Sequence, residues 1–286
     1  MKYIIVSANK RKGVVGDDAG NNHVYTELGW EVVGTRLDCI RMLQRKEISS
    51  SDVIVTQEDR KFMYSRIFDS VISCDEFANM SPDPSSVISL VDNIDQSSFL
   101  NHDIFYDPSS PKSIAKYRWF REDFDLITKF DFADISHLPV SGKFFCVCLR
   151  YRDHNSYKNS KDDFWDVVLK RMVDDGAVVF LVGKGSDRKS GEKRIHISKL
   201  AEYASLISHP NCRATVGSAT GTMLFAHFCC RNSIWAVDHA GMIGDQISLN
   251  NAVYGGNCVK FMDIPYNVYR GEPNVNEFVN AVMGAR

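Results

Sequence analysis

Arg213-Ala-Thr-Val-Gly217-Ser218-Ala-Thr220-Gly221-Thr222-Met-Leu-Phe-Ala-His227 is the stretch from which the architecture of this chain can be read. A β-branched run at 214–216 stops at Gly217. Four small or hydroxylated residues follow, and 222–230 is apolar with helical character. The pattern is a strand, a tight turn and the start of a helix. Such a turn collects hydroxyls and unpaired backbone N–H groups at the positive end of a helix dipole, which favours phosphate. The plainer alternative is an ordinary connection whose Ser or Thr caps the next helix.

Composition narrows the setting. At 286 residues the chain holds two domains of ordinary size or one large α/β domain. A hydrophobic content of 44% and a charged content of 24% are those of a soluble globular protein. The net charge of −2 argues against a generally basic surface, yet 34 Lys and Arg leave room for a local basic cleft. No run approaches the ~18 apolar residues of a membrane span, and residues 2–7 read as a first strand rather than a signal core. The eight cysteines form no CxxC pairs at zinc spacing, and Cys146 and Cys148 alternate on a strand as candidate buried thiols. These features predict a cytoplasmic, reduced protein without structural metal.

Along the chain, short β-branched strands alternate with helical segments. Strands are predicted at 2–7, 30–37, 52–56 and 70–74, with helices at 23–28 and through Arg66. Residues 9–22 pack three glycines, three lysines or arginines and the adjacent Asp17 and Asp18 into one loop. Residues 81–86 read as a surface loop, 112–130 as a helix and 132–142 as a linker. The pattern then restarts: strand 143–149, helix 161–174, strand 177–182, helix 197–208, strand 212–216, helix 222–230, strand 233–237 and a closing helix at 275–283. The alternation predicts an α/β chain of two parallel, doubly wound, Rossmann-like domains, 1–140 and 141–286, with the ligand at the strand ends between them.

Two further strand ends carry groups suited to anions. Arg150 and Arg152 follow the strand at 143–149, and a planar guanidinium can donate two parallel hydrogen bonds to phosphate. Gly183-Lys184-Gly185 follows the strand at 177–182, where glycine permits close backbone approach and Lys184 adds charge. A solvated charged loop is the alternative at the arginines. The Gly-x-Gly lacks the third glycine of a dinucleotide turn, and no Walker pattern follows it. Three phosphate-capable turns at the ends of three successive strands predict a diphosphate lying across the second domain. The loop after 233–237 follows, in which Asp238 or Asp245 could read the sugar or ribose, or simply close the domain.

On these residues the second half resembles the donor domain of GT-B glycosyltransferases. The Arg-x-Arg-Asp turn at Arg150, Arg152 and Asp153 resembles the arginine motif of fucosyltransferase-like enzymes. Gly217-Ser218-x-Thr220-Gly221-Thr222 resembles the phosphate-binding turn of that group and of the heptosyltransferase-like group. Gly13-x-x-Gly16-Asp17-Asp18 resembles the glycine-rich loop that heptosyltransferase-like enzymes place before an aspartate facing the acceptor. The chain departs from the fucosyltransferase pattern where Cys148 stands in place of a His two positions before the first Arg.

The resemblance implies two domains facing a cleft, 1–140 binding the acceptor and 141–286 the nucleotide-sugar donor. The nucleoside-diphosphate sugar would be a co-substrate, with no cofactor and no metal. Leaving-group charge would be met by Arg150, Arg152, Gly183, Lys184, Ser218, Thr220, Gly221 and Thr222, with Asp238 reading the donor. Asp18 or Asp17 would take the acceptor's proton, with His23 as a substitute, and transfer would invert the sugar. Capping of the next helix is the alternative role for the aspartates. The basic residues Lys10, Arg11, Lys12, Lys184, Arg188, Lys189, Lys193 and Arg194 suit a polyanion or simply solvated loops. The acceptor is therefore either a saccharide or, by analogy with phage enzymes of the same plan, hydroxymethylated cytosine in DNA. A nucleotide-sugar epimerase or hydrolase and a non-catalytic nucleotide-binding module are the competing functions. A dehydrogenase is disfavoured because the first strand lacks a GxGxxG turn.

Overall fold

The computed structural model describes residues 1–7, 31, 35–90, 129–151, 159–183, 185–217, 222–223, 233–237, 259–263 and 275–284. The chain divides into two compact units, Met1–Phe132 and Ala133–Arg286.

Unit 1 carries strands β1 (Tyr3–Ile5), β2 (Val53–Thr56), β3 (Ser70–Ser73) and β4 (Val87–Ser89). They pair in parallel in the order β3-β2-β1-β4. Helices α1 (Arg36–Gln44) and α2 (Cys74–Ala78) accompany them. Of the strand expected at 30–37, only Glu31 and residues 35–37 are described; none of them is extended, and Arg36 and Leu37 open α1. The β-branched residues of 30–37 read as strand, but burial of Leu37, Cys39 and Ile40 follows a helical face, and β1 pairs directly with β2. The charged segment before Arg66 is a 3-10 turn, Glu58–Met63. Of the helix expected at 112–130 only Lys129 and Phe130 are described, and neither is helical. Cys74 starts α2 rather than ending a strand, because Ser73 and Glu76 form a reciprocal capping box.

Unit 2 carries β5 (Phe144–Cys148), β6 (Val178–Val182), β7 (Arg194–Ile197), β8 (Cys212–Gly217), β9 (Ser233–Val237) and β10 (Val259–Asp263). All pair in parallel in the order β10-β9-β8-β5-β6-β7. Read from the other edge this is the 3-2-1-4-5-6 order of a doubly wound nucleotide-binding sheet. Helices α3 (Asp162–Asp174), α4 (Leu200–Ser208) and α5 (Val275–Met283) belong to it. Two of its strands, β7 and β10, and β4 of unit 1 are absent from the sequence expectation. Residues 133–142, read as a linker, are held within unit 2: Ser205 Oγ donates to the Ala133 carbonyl at 2.9 Å, and Asn211 Nδ2 to that of Val140 at 2.8 Å.

All five residues of β5 are buried, as expected of a central parallel strand covered on both faces. Alternate residues divide between the faces. Phe145, Val147 and Leu149 join Phe164, Trp165, Val168, Leu169 and Met172 of α3 and Phe278, Val279 and Val282 of α5 in one core cluster. Phe144 packs edge-on against Phe180, ring centroids 5.0 Å apart. Cys146 and Cys148 are buried thiols. Among the described residues no helix is long and apolar enough to cross a membrane.

Asp52 ties the start of unit 1 together, accepting the N–H of Lys2 at 2.6 Å and of Ser49 at 2.9 Å. Burial alone would raise its pKa, but these two backbone bonds, the N-terminal ammonium and the Lys2 charge outweigh it and hold the carboxyl below the usual aspartate range. A folded-state pKa below the unfolded one stabilises the protein above about pH 4, and the benefit is lost as pH falls through the folded value. Asp52→Asn sets an amide NH2 against a backbone N–H and is expected to cost about 1–2 kcal/mol at pH 7. Urea titrations at pH 7 and at successively lower pH should show the wild-type advantage at the first and its decline as the carboxyl becomes protonated.

Candidate functional site

In an open parallel sheet, ligands bind beyond the carboxyl ends of the strands where successive crossovers diverge. In unit 2 that point lies between β5 and β8, since β6 and β7 continue to one side and β9 and β10 to the other. Cys148, the last residue of β5, is in register with Gly217 on β8 and Val182 on β6. The three strands that precede the segments proposed for phosphate thus end side by side at one edge, although β7 intervenes between β6 and β8 in the chain.

Two glycines make that edge possible. A Cβ on Gly217 would lie 2.4 Å from the Cys148 carbonyl oxygen and 2.7 Å from the Cys148 Cβ. A Cβ on Gly183 would lie 2.0 Å from the Leu149 carbonyl oxygen, and Gly183 also holds φ at +115°. Backbone therefore presses on the exit of β5 from both sides, and only hydrogen fits between.

Arg150 leaves β5 at this edge. It is 8% exposed, and its guanidinium Nη1 donates to Asn159 Oδ1 at 2.8 Å. Its backbone N–H donates to Ser160 Oγ at 2.9 Å, and its carbonyl accepts the Ser160 N–H at 2.8 Å. Arg150 therefore clasps residues 159–160 against the strand end.

Beside it, Tyr151, Asp162, Arg188, Lys189 and Asp166 form a lattice. Arg188 donates to both oxygens of Asp162 at 2.7 and 2.8 Å and lies 3.4 Å above the Tyr151 ring centroid. Tyr151 Oη donates to Asp162 Oδ1 at 3.0 Å, while Lys189 reaches Asp162 at 2.9 Å and Asp166 at 2.6 Å. Burial works against ionised Asp162, but bonds from Lys189, Tyr151 and Arg188 outweigh it and lower its pKa. Burial raises that of Tyr151, helped by Asp162. Arg188 and Lys189, read as edges of a polyanion cleft, are thus bound by aspartates at the start of α3. Together with the bond from Ser186 Oγ to the Gly183 carbonyl at 2.8 Å, they fix the chain that follows β6.

Opposite, Tyr203 of α4 is wholly buried. Its hydroxyl donates to the Thr222 carbonyl at 3.0 Å and lies 3.1 Å from Cys148 Sγ. Thr222 and Met223 are helical, and Met223 is buried.

The carboxyl edge of unit 1 has a different chemistry. Glu31 is fully buried there; its carboxyl accepts Thr56 Oγ1 at 2.7 Å, Tyr64 Oη at 3.1 Å and Arg60 Nη1. The same Arg60 nitrogen reaches Ser7 Oγ at 3.4 Å, and Cys74 Sγ reaches the Ser7 carbonyl at 3.2 Å. Burial, then the Glu31 charge, pushes the Tyr64 phenol well above its ordinary pKa.

Of the residues proposed from sequence, Arg150, Gly183 and Thr222 are brought to one edge. Asp17, Asp18, His23, Arg152, Lys184, Ser218, Thr220, Gly221 and Asp238 lie outside the described residues. Sequence reasoning missed Tyr203, Glu31 and Arg60. Tyr203 stands in an apolar helix that gives no cue, and Glu31 and Arg60 are 29 residues apart.

No protein-family model matches the chain, and no curated protein does. Solved structures do. E. coli heptosyltransferase WaaC with ADP aligns over 100% of both chains at 13% identity and a TM-score of 0.52. E. coli ADP-heptose LPS heptosyltransferase II aligns over 99% of this chain and 98% of its own at 12% identity and 0.50. The chain shares the fold of these heptosyltransferases. Identities this low establish the fold alone.

Gly217→Ala and Gly183→Ala each drive a methyl group into backbone and are expected to destabilise the protein by more than about 2 kcal/mol. Gly142→Ala, whose Cβ would meet nothing within 4 Å, should stay within about 0.5 kcal/mol of wild type. Urea midpoints measure all three.

Proposed function

We propose that the protein transfers a sugar from a nucleoside-diphosphate sugar to a hydroxyl group on a saccharide acceptor. Unit 2 binds the donor and unit 1 the acceptor. One observation carries the reading: a 3-2-1-4-5-6 sheet in which β8, β5 and β6, each followed in the sequence by residues rich in glycine, hydroxyls or cations, end side by side at the divergence point.

The physics of the step follows from charge. As the glycosidic bond breaks, negative charge grows on the departing diphosphate. The backbone N–H groups of Gly221 and Thr222, the hydroxyls of Ser218 and Thr220, and Lys184, Arg150 and Arg152 would meet that charge without a metal or cofactor. Donors held by the fold stabilise it without reorganising. Gly183, whose missing Cβ makes room for the Leu149 backbone, would offer its own backbone to the donor from that position, and Asp238 would read the donor. Asp18 or Asp17 would accept the proton of the attacking hydroxyl, with His23 the substitute, and attack opposite the leaving group inverts the anomeric carbon. Unit 1's buried Glu31–Arg60 network lies at the carboxyl edge of its own sheet and brackets residues 8–30, the segment that carries these three side chains.

A hydroxymethylated cytosine in DNA gains no support as acceptor. Arg188 and Lys189 are committed to Asp162 and Asp166, and the fold neighbours are named for LPS and ADP-heptose. ADP, present in the WaaC structure, is the first ligand to try, followed by UDP and GDP.

A nucleoside diphosphate held at 100 times its Kd should add about 2.7 kcal/mol of stability by mass action, read as a rise in Tm. No rise with any of the three removes the donor reading. With a binding donor identified, nucleoside diphosphate should be released only when saccharide acceptor is added. Release without acceptor indicates a hydrolase or epimerase, and binding without turnover a non-catalytic module. Asp17→Asn and Asp18→Asn should both keep the thermal shift, while one of them lowers turnover by about 100-fold or more. Unchanged turnover in both removes these carboxylates from the mechanism.

A further inference from the structure

Tyr203 carries a polar atom that packing does not require. None of its surface is exposed, and a phenylalanine would fill the same space. Its hydroxyl instead joins two points of the donor edge, the Thr222 carbonyl at 3.0 Å and Cys148 Sγ at 3.1 Å. A phenol has one proton, and a carbonyl can only accept. With the Tyr203 proton directed to Thr222, the contact with Cys148 is a thiol S–H donating to the phenol oxygen. The relay therefore runs from Cys148 through Tyr203 to the backbone of Thr222.

Cys148 is also the residue against which Gly217 is pressed, with only hydrogen between them. Gly217 ends β8, and Thr222 is where helical backbone is next described. Both are referenced to the same residue of β5, one by backbone contact and the other by the buried phenol. The Thr222 carbonyl shares its peptide plane with the Met223 N–H. Because Thr222 is itself helical, fixing that plane also fixes the local helix direction, along which the Thr222 N–H assigned above to the diphosphate points the opposite way. A preoriented donor binds an anion without the cost of ordering it.

We propose that Tyr203 is a positioning residue for the nucleotide's diphosphate, acting through Thr222 and seated on Cys148. This rests on the donor role proposed for unit 2. The relay also gives Cys148, which departs from the fucosyltransferase pattern, a physical task.

The test is calorimetric titration of ADP, GDP and UDP into the full chain as wild type, Tyr203→Phe, Cys148→Ser and Cys148→Ala. For the diphosphate that binds wild type, Tyr203→Phe should weaken binding about tenfold, the equivalent of one lost hydrogen bond. The matching nucleoside, lacking phosphates, should bind both proteins equally. Cys148→Ser keeps a donor to the phenol and should stay within about threefold of wild type. Equal diphosphate affinity in wild type and Tyr203→Phe overturns the inference. So does a parallel loss of nucleoside affinity, the mark of general softening. Should Tyr203→Phe fail to fold, Cys148→Ala carries the same comparison: a loss confined to the diphosphate supports the relay, and unchanged affinity overturns it. A wild type that binds none of the three diphosphates removes the donor reading and this inference with it, whereas binding unaffected by the variants removes the inference alone.

Discussion

The exit of β5 is gripped by backbone on both sides. Gly217 abuts Cys148, and Gly183 abuts Leu149, each closer than any Cβ would allow. That double contact brings the ends of β8, β5 and β6 to one edge and leaves no space there for side chains from the flanking strands. The core behind it, built by α3 and α5 on one face of β5, supplies the apolar burial that holds the strands at this separation. The polar contacts at the edge serve placement more than stability. Arg150 clasps Asn159 and Ser160, Asp162 gathers Arg188 and Lys189, and Tyr203 ties Thr222 to Cys148.

Unit 1 solves the corresponding problem with buried charge. Glu31 and Arg60 lie under the carboxyl edge of its sheet with Thr56, Tyr64 and Ser7 around them. Desolvating two charges offsets much of their attraction, so such a pair is weak grounds for stability. Its geometry says more: one guanidinium nitrogen reaches both Ser7 and Glu31, the described residues on either side of 8–30. The phenol of Tyr64, its pKa pushed up by burial and by Glu31, acts there as a hydrogen-bond donor.

Much of unit 2 was legible because its strands are continuous apolar runs and its helices show one apolar face. β5, β6, β8, α3 and α5 fall within a residue or two of where pattern alone places them. The misses have physical causes. β7, Arg-Ile-His-Ile, is an edge strand with half-exposed side chains, so alternation is weak and its last residue was absorbed into the helix that follows. β4 is three residues long and follows a proline-rich turn. At Arg36 and Leu37 the β-branched composition just before them hid the helical spacing of Leu37 and Ile40, which are buried as one face of α1. In the candidate site, the glycine and hydroxyl turns were visible as motifs, but their anchors were not. Arg150 reads in sequence as an exposed phosphate fork, yet it is nearly buried against a residue nine positions on. Tyr203 and Cys148 meet only because α4 crosses the face of β5, a long-range contact with no local signature.

In the proposed function a nucleotide's diphosphate sits at the carboxyl edge shared by β8, β5 and β6. A crystal structure of the chain with bound ADP, or whichever nucleoside diphosphate raises its Tm, addresses this directly. The phosphates should lie beyond Cys148, between Gly217 and Gly183, within hydrogen-bond distance of the Thr222 N–H. A nucleotide bound at the opposite edge of the sheet, or in unit 1, would contradict it.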